Sequence, residues 1–200
     1  MTLNLYLIII ITIITQGLSS EQLDRNELID INNKTNLPFQ SKHKLNITTD
    51  ILKGFELAKK VDKPILIVFA GKECRGVIQD GYNEFDKYLI TSKKIRKKIN
   101  NEFITIYLDV DNRTPLKNIN TEYMDKIKLS ERWRDEIIRR NSVGSLNLYI
   151  QIDKFKSNSQ PMYVITNSRG EAIIKPFENV GNNQKLFIKK LNEGISKAKK

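Results

Sequence analysis

One cysteine and one histidine stand among the 200 residues, and both scarcities exclude a good deal. A lone cysteine closes no intramolecular disulfide, so the fold must rest on packing alone. In an oxidising compartment Cys74 is then a free thiol or an intermolecular partner. The sole histidine, His43, sits between Lys42 and Lys44 in a polar stretch. That setting reads as a surface residue rather than a metal ligand or a catalytic base. No pattern for a metal, nucleotide or flavin site is present, so no cofactor is expected. Asp109-Val110-Asp111-Asn112 has the acidic spacing of a calcium loop but lacks the glycine and the distal glutamate such a loop needs, and it reads as a strand-end turn. Three Asn-x-Thr sequons, at Asn33, Asn46 and Asn112, carry no weight in an asparagine-rich chain.

Charge is absent from residues 1–20, which hold no Lys, Arg, Asp or Glu. Leu5 to Ile14 is an apolar run broken only by Thr12, too short to span a bilayer comfortably, and Gly17-Leu18-Ser19 offers small residues for a signal peptidase. Residues 1–20 are therefore expected to be a signal peptide that sends the protein to the periplasm or out of the cell. The alternative is an uncleaved anchor, since no Lys or Arg precedes the run. No cysteine follows it, which excludes a lipid-modified cysteine at the cleavage site. The net charge of +11 invites nucleic acid, but an exported chain with lysines spread over several helices and no interleaved aromatics argues against that partner. A solvated basic face is the simpler reading, with peripheral contact to an anionic membrane as its functional variant. Oligomeric state leaves no trace in the sequence.

With 40% hydrophobic and 28% charged residues, the chain suits one globular domain with appended segments. Residues 21–48 read as a polar leader, flexible or forming an added edge element, and residues 49–200 as the domain. Thr49 and Asp50 offer N-caps for a helix with Ile51, Phe55 and Ala58 on one face. Pro64-Ile65-Leu66-Ile67-Val68-Phe69, closed by Gly71, is an unbroken apolar run and reads as a central strand buried on both faces. Ser92 opens a basic helix with Ile95 and Ile99 inward, and Phe103 to Leu108 is the second strand. Residues 114–142 form a polar insertion with a helical pattern through Met124, Ile127, Trp133 and Ile137, with Trp133 as its anchor on the domain. A helix from Val143 with Leu148, Ile152 and Phe155 on its packed face follows. Then come a strand over Met162 to Thr166, a turn at Asn167-Ser168-Arg169-Gly170, a strand over Glu171 to Lys175 and a closing helix from Gln184 to Lys197.

Two stretches carry a resemblance. Phe69-Ala70-Gly71-Lys72-Glu73-Cys74 is similar to the F-x-G-x-x-C-x-x-C segment of thioredoxin-like domains of the thiol:disulfide interchange type, especially the C-terminal domain of DsbD-like proteins. Asn158-Ser159-Gln160-Pro161-Met162-Tyr163-Val164 resembles the loop and strand that hold that family's cis-proline. The likeness spans roughly residues 50–197. It implies a three-layer α/β/α thioredoxin-like fold with a central mixed sheet of about four strands, an added N-terminal helix, and a helical insertion before the cis-proline helix. It also implies a cis Gln160–Pro161 bond, with Pro161 on the order of 4 Å from Cys74.

The resemblance departs at one decisive place: Val77 stands where the family's second cysteine belongs. In the family the first cysteine attacks a substrate disulfide and the second resolves the mixed disulfide. Cys74 matches the first role at a strand-to-helix junction, flanked by Lys72, Glu73 and Arg75, with the two cations favouring the thiolate and the glutamate opposing it. Val77 cannot take the second. Two functions remain open. One is monothiol exchange through Cys74, with Gln160 and Pro161 docking the client and with exported client proteins or a membrane thiol reductant as partners. The other is a redox-inactive module that binds extended peptides or a protein partner at the same edge.

Overall fold

The computed structural model of the chain describes residues 45–71, 89–116, 121–178 and 180–199. Its described residues form a five-stranded mixed sheet and six helices. In chain order these are β1 (Ile47–Thr48), α1 (Ile51–Val61), β2 (Ile65–Ala70), α2 (Lys93–Glu102), β3 (Ile104–Asp109), α3 (Thr121–Lys126), α4 (Glu131–Arg140), α5 (Val143–Phe155), β4 (Met162–Thr166), β5 (Phe177–Glu178) and α6 (Gln184–Ala198).

The sheet order is β1-β3-β2-β4-β5. Strand β2 is central, parallel to β3 and antiparallel to β4, and all six of its residues are buried. That burial is what an unbroken apolar run requires when helices cover both faces. The pleat assigns the two faces. Ile67 lies beside Ile106 and Val164, and Phe69 beside Leu108 and Met162. Helices α1 and α5 cover that face: Gly54 of α1 rests on Ile106, and Phe155 of α5 meets Phe69 edge to face at 5.7 Å between ring centroids. The opposite face, with Tyr163 and Ile165, takes α6, whose Phe187 packs on Tyr163 at 5.1 Å and whose Gly194 lies against Ile165. Helix α2 packs beside α6. Three layers result, in the thioredoxin-like arrangement.

Local chemistry explains most boundaries. Asp50, not Thr49, caps α1, accepting hydrogen bonds from the Leu52 and Lys53 N–H groups. Ile95 and Ile99 of α2 are fully buried while its lysines lie at the surface. Arg96 folds back to donate to the Ile90 and Thr91 carbonyls, each at 2.7 Å. The N-cap residue Ser92 makes no side-chain capping bond.

The sheet has one strand more than expected. Leu45 and Ile47 are buried, and Ile47–Thr48 adds a parallel edge strand beside β3, so the end of the polar leader is an edge element. The fourth strand expected over Glu171 to Lys175 is absent from its place. Only Ala172 bridges to Thr166, and regular pairing resumes at Phe177 and Glu178 against Tyr163 and Met162. The two pairings differ in register by two residues, and Pro176, which has no N–H to donate, stands in the interruption.

Among the described residues the insertion holds two helices, α3 and α4, and several contacts tie them to the domain. Tyr123 donates its hydroxyl to Asp50 at 3.3 Å; burial and the adjacent Asp50 carboxylate both hold that phenol above its ordinary range. The N-cap residue of α4, Ser130, donates its N–H and its hydroxyl to Asp153 of α5 at 2.9 and 2.8 Å. Trp133 stacks on Tyr149 of α5 at 4.8 Å between centroids, the anchoring role its spacing suggested.

Candidate active site

The site expected from the sequence has two halves. Cys74, Lys72, Glu73, Arg75 and Val77 lie outside the described residues, as do the apolar run Leu5 to Ile14 and His43. The other half is described: the end of β2, the loop Ser157 to Pro161, and the turn Asp109 to Asn112.

Pairing of β2 with β4 brings two of these together. Phe69 is opposite Met162, so the loop that ends in Pro161 lies beside the end of β2 from which Ala70 and Gly71 lead out. The Gln160–Pro161 peptide bond is cis, and Pro161 is half-buried. The acidic turn closes the other side. Val110 donates its N–H to the Ala70 carbonyl at 2.8 Å, and a side chain added at Gly71 would come within 2.5 Å of Asp111 Oδ2. Asp109 accepts from the Asp111 N–H at 2.9 Å, the geometry of a strand-end turn.

Helix α5 holds both flanking segments through side chains that periodicity did not single out. Its buried face is not Leu148, Ile152 and Phe155, which are only half-buried, but Gly144, Leu146, Asn147, Tyr149, Ile150 and Gln151. Asn147 and Gln151, one turn apart, are buried amides with specific acceptors. Asn147 Nδ2 donates to the Asp109 carbonyl at 2.9 Å. Gln151, with 0% exposure, donates from Nε2 to the Ser159 carbonyl at 2.7 Å and accepts at Oε1 from Gln160 Nε2 at 2.7 Å. A buried amide is tolerated where its donors and acceptors are matched, and these two are matched by the loops beside the site.

The match has a consequence for Gln160. Its side-chain amide turns inward to donate to Gln151, so the side chain is engaged within the fold. Gly144 completes the join at the start of α5: its N–H donates to the Asn112 carbonyl at 2.7 Å, and a Cβ there would lie 2.5 Å from the Val110 carbonyl oxygen. This end of the sheet is therefore a hydrogen-bonded frame. It sets the half-buried cis-proline beside the exit of β2, over a buried apolar junction.

Against known proteins, no family description matches this sequence and no curated relative is found for it. A solved structure described as a DsbH oxidoreductase is similar over 74% of this chain and 82% of its own, at 16% identity and a TM-score of 0.44. At that distance the strand order and pairing described above are the ground for the fold.

Proposed function

We propose that the chain is an exported thioredoxin-like protein of the thiol:disulfide interchange type, at most a monothiol exchanger acting through Cys74. The observation that supports this reading is the register of β2 and β4. It sets the Pro161 loop beside the end of β2, and Cys74 follows Gly71 by three residues, a span of no more than about 10 Å of chain.

The chemistry then needs one thiolate. The Cys74 sulfur attacks one sulfur of a client disulfide; the client S–S bond breaks, a mixed disulfide forms, and the client's second sulfur leaves as a thiolate. With Val77 in the resolving position, an outside thiol must attack the mixed disulfide and release Cys74 as a thiolate, itself ending disulfide-bonded to the client. The Pro161 loop docks the client backbone, fixed from behind by Gln151.

A module that binds peptides by adding a strand to the sheet has less support. Both edge strands, β1 and β5, are two residues long, which leaves little ladder to extend.

Two variants test the proposal. Cys74→Ser should lose every mixed-disulfide adduct trapped on the native protein. Val77→Cys restores the two-cysteine motif and should turn over insulin disulfides when a reductant is supplied. If the folded Val77→Cys protein stays inactive and the native protein traps no adduct, the redox reading fails and the binding module stands.

A further inference from the structure

A concavity lies away from the Pro161 loop. It runs between α1, the turn joining α3 to α4, α5 and the Asn167–Gly170 turn, with a volume of about 740 Å³. That is within the range of small-molecule sites, roughly 300–1,000 Å³. Its interior is apolar: Phe55, Ile127, Ile150 and Phe155 line it, and the two phenylalanines are only half-buried. One end is closed by Gly170, whose φ of +82° and close approach to Phe55, 2.7 Å from a Cβ placed there to the ring Cζ, press the turn onto the ring.

The rim is cationic. Lys59, Lys126, Lys128, Lys154 and Arg169 stand around the opening against two carboxylates, Glu56 and Glu171. Arg169 and Glu171 pair with each other at 3.1 Å, and Lys126 pairs with Glu122 at 2.9 Å. Lys154 donates to the Lys128 carbonyl and lies 3.7 Å from Asp153. Among the described residues, Lys59 and Lys128 have no carboxylate partner at ion-pair distance, although the Lys128 charge is felt by Glu171 from farther away. The walls are helices and a turn whose backbone groups are already bonded: Asn167 accepts from both the Arg169 and Glu171 N–H groups. No free ladder invites a peptide strand.

An apolar slot of this size under a rim of five cations and two carboxylates fits a molecule with a hydrocarbon body and a negative head. We infer that this groove binds a single-chain anionic amphiphile of the fatty-carboxylate class, its chain against Phe55 and Phe155 and its head at Lys59 and Lys128. The inference does not depend on Cys74.

The test is calorimetric titration of the full chain with dodecanoate below its micellar concentration, with dodecyltrimethylammonium and hexanoate as controls. One dodecanoate should bind per chain, at least about tenfold tighter than the cationic analogue. Hexanoate, six methylenes shorter, should bind more than about a hundredfold more weakly. Lys59→Glu with Lys128→Glu, both surface changes that spare the fold, should weaken dodecanoate about tenfold and leave hexanoate's deficit in place; Phe55→Ala should weaken it independently. Equal binding of the two dodecyl probes, non-saturating uptake of several molecules per chain, or affinity unchanged in the charge-reversed variant would overturn the assignment. So would dodecanoate binding that Cys74→Ser abolishes.

Discussion

Gln151 and Gln160 join side chain to side chain at 2.7 Å, while the same Gln151 holds the Ser159 carbonyl at 2.7 Å. One buried amide thus fixes the two residues that precede Pro161. Replacing it with leucine keeps the volume but removes the bonds it makes to the Ser159 carbonyl and the Gln160 amide. Gln151→Leu should lower stability by about 1–3 kcal/mol and loosen the loop, seen as a lower urea midpoint together with faster amide exchange over residues 157–160. Leu148→Ala on the same helix should cost less than Gln151→Leu, because Leu148 is only half-buried. The reverse ranking would show that the helix packs as its apolar spacing suggests.

That contrast marks where the sequence was readable. Ile65 to Phe69 declares itself because a strand buried on both faces needs no polar alternation, and Ile95 with Ile99 declares α2 by spacing alone. Asn147 and Gln151 were hidden because a polar pair at i and i+4 has the form of a solvated face. What buries them is acceptors in other segments, the Asp109 and Ser159 carbonyls, and local periodicity carries no record of those. The strand displaced from Glu171–Lys175 to Phe177–Glu178 was hidden for a related reason, since register is set by the partner strand. Its one local signal was Pro176. Of the site, the proline loop and the strand leading to Cys74 were legible as motifs, whereas Gln151 behind the loop would have needed its partners to be known.

Gly144 touches backbone, which cannot move aside as a side chain can. With a Cβ 2.5 Å from the Val110 oxygen and 2.8 Å from the Asn112 nitrogen, Gly144→Ala should force α5 off the Asp109–Asn112 turn. A loss of about 2–3 kcal/mol in chemical denaturation is expected. A loss below about 0.5 kcal/mol would mean that this junction is slack.

Asp153 links α4 to α5. Burial alone pushes its carboxyl up, but the Ser130 N–H and hydroxyl and the nearby Lys154 and Lys156 outweigh it, so the group lies below its ordinary value of 3.8. The unfolded chain therefore takes up the proton first as pH falls, and the stabilisation is present above pH 3.8 and lost as pH drops through the folded value. Asp153→Ala should be less stable than the native protein by about 1–2 kcal/mol at neutral pH. The gap should narrow on acidification below the ordinary value. A gap independent of pH would assign the effect to packing.

Thr166 is fully buried on the face covered by α1 and α5, and its hydroxyl has no hydrogen-bond partner among the described residues. Valine keeps the shape and removes the unmatched oxygen. Thr166→Val should raise stability by about 1 kcal/mol, read as a higher urea midpoint at unchanged slope. A destabilised variant would reveal a partner for that hydroxyl.

The central claim is that Cys74 works as a nucleophilic thiolate without a resolving partner. The rate at which iodoacetamide alkylates Cys74 in the folded native chain, followed from acid to alkaline pH, tests it most directly. A titration whose apparent pKa falls clearly below the free-thiol value of about 8.5 is what the account predicts, and a midpoint at or above that value in the folded protein contradicts it.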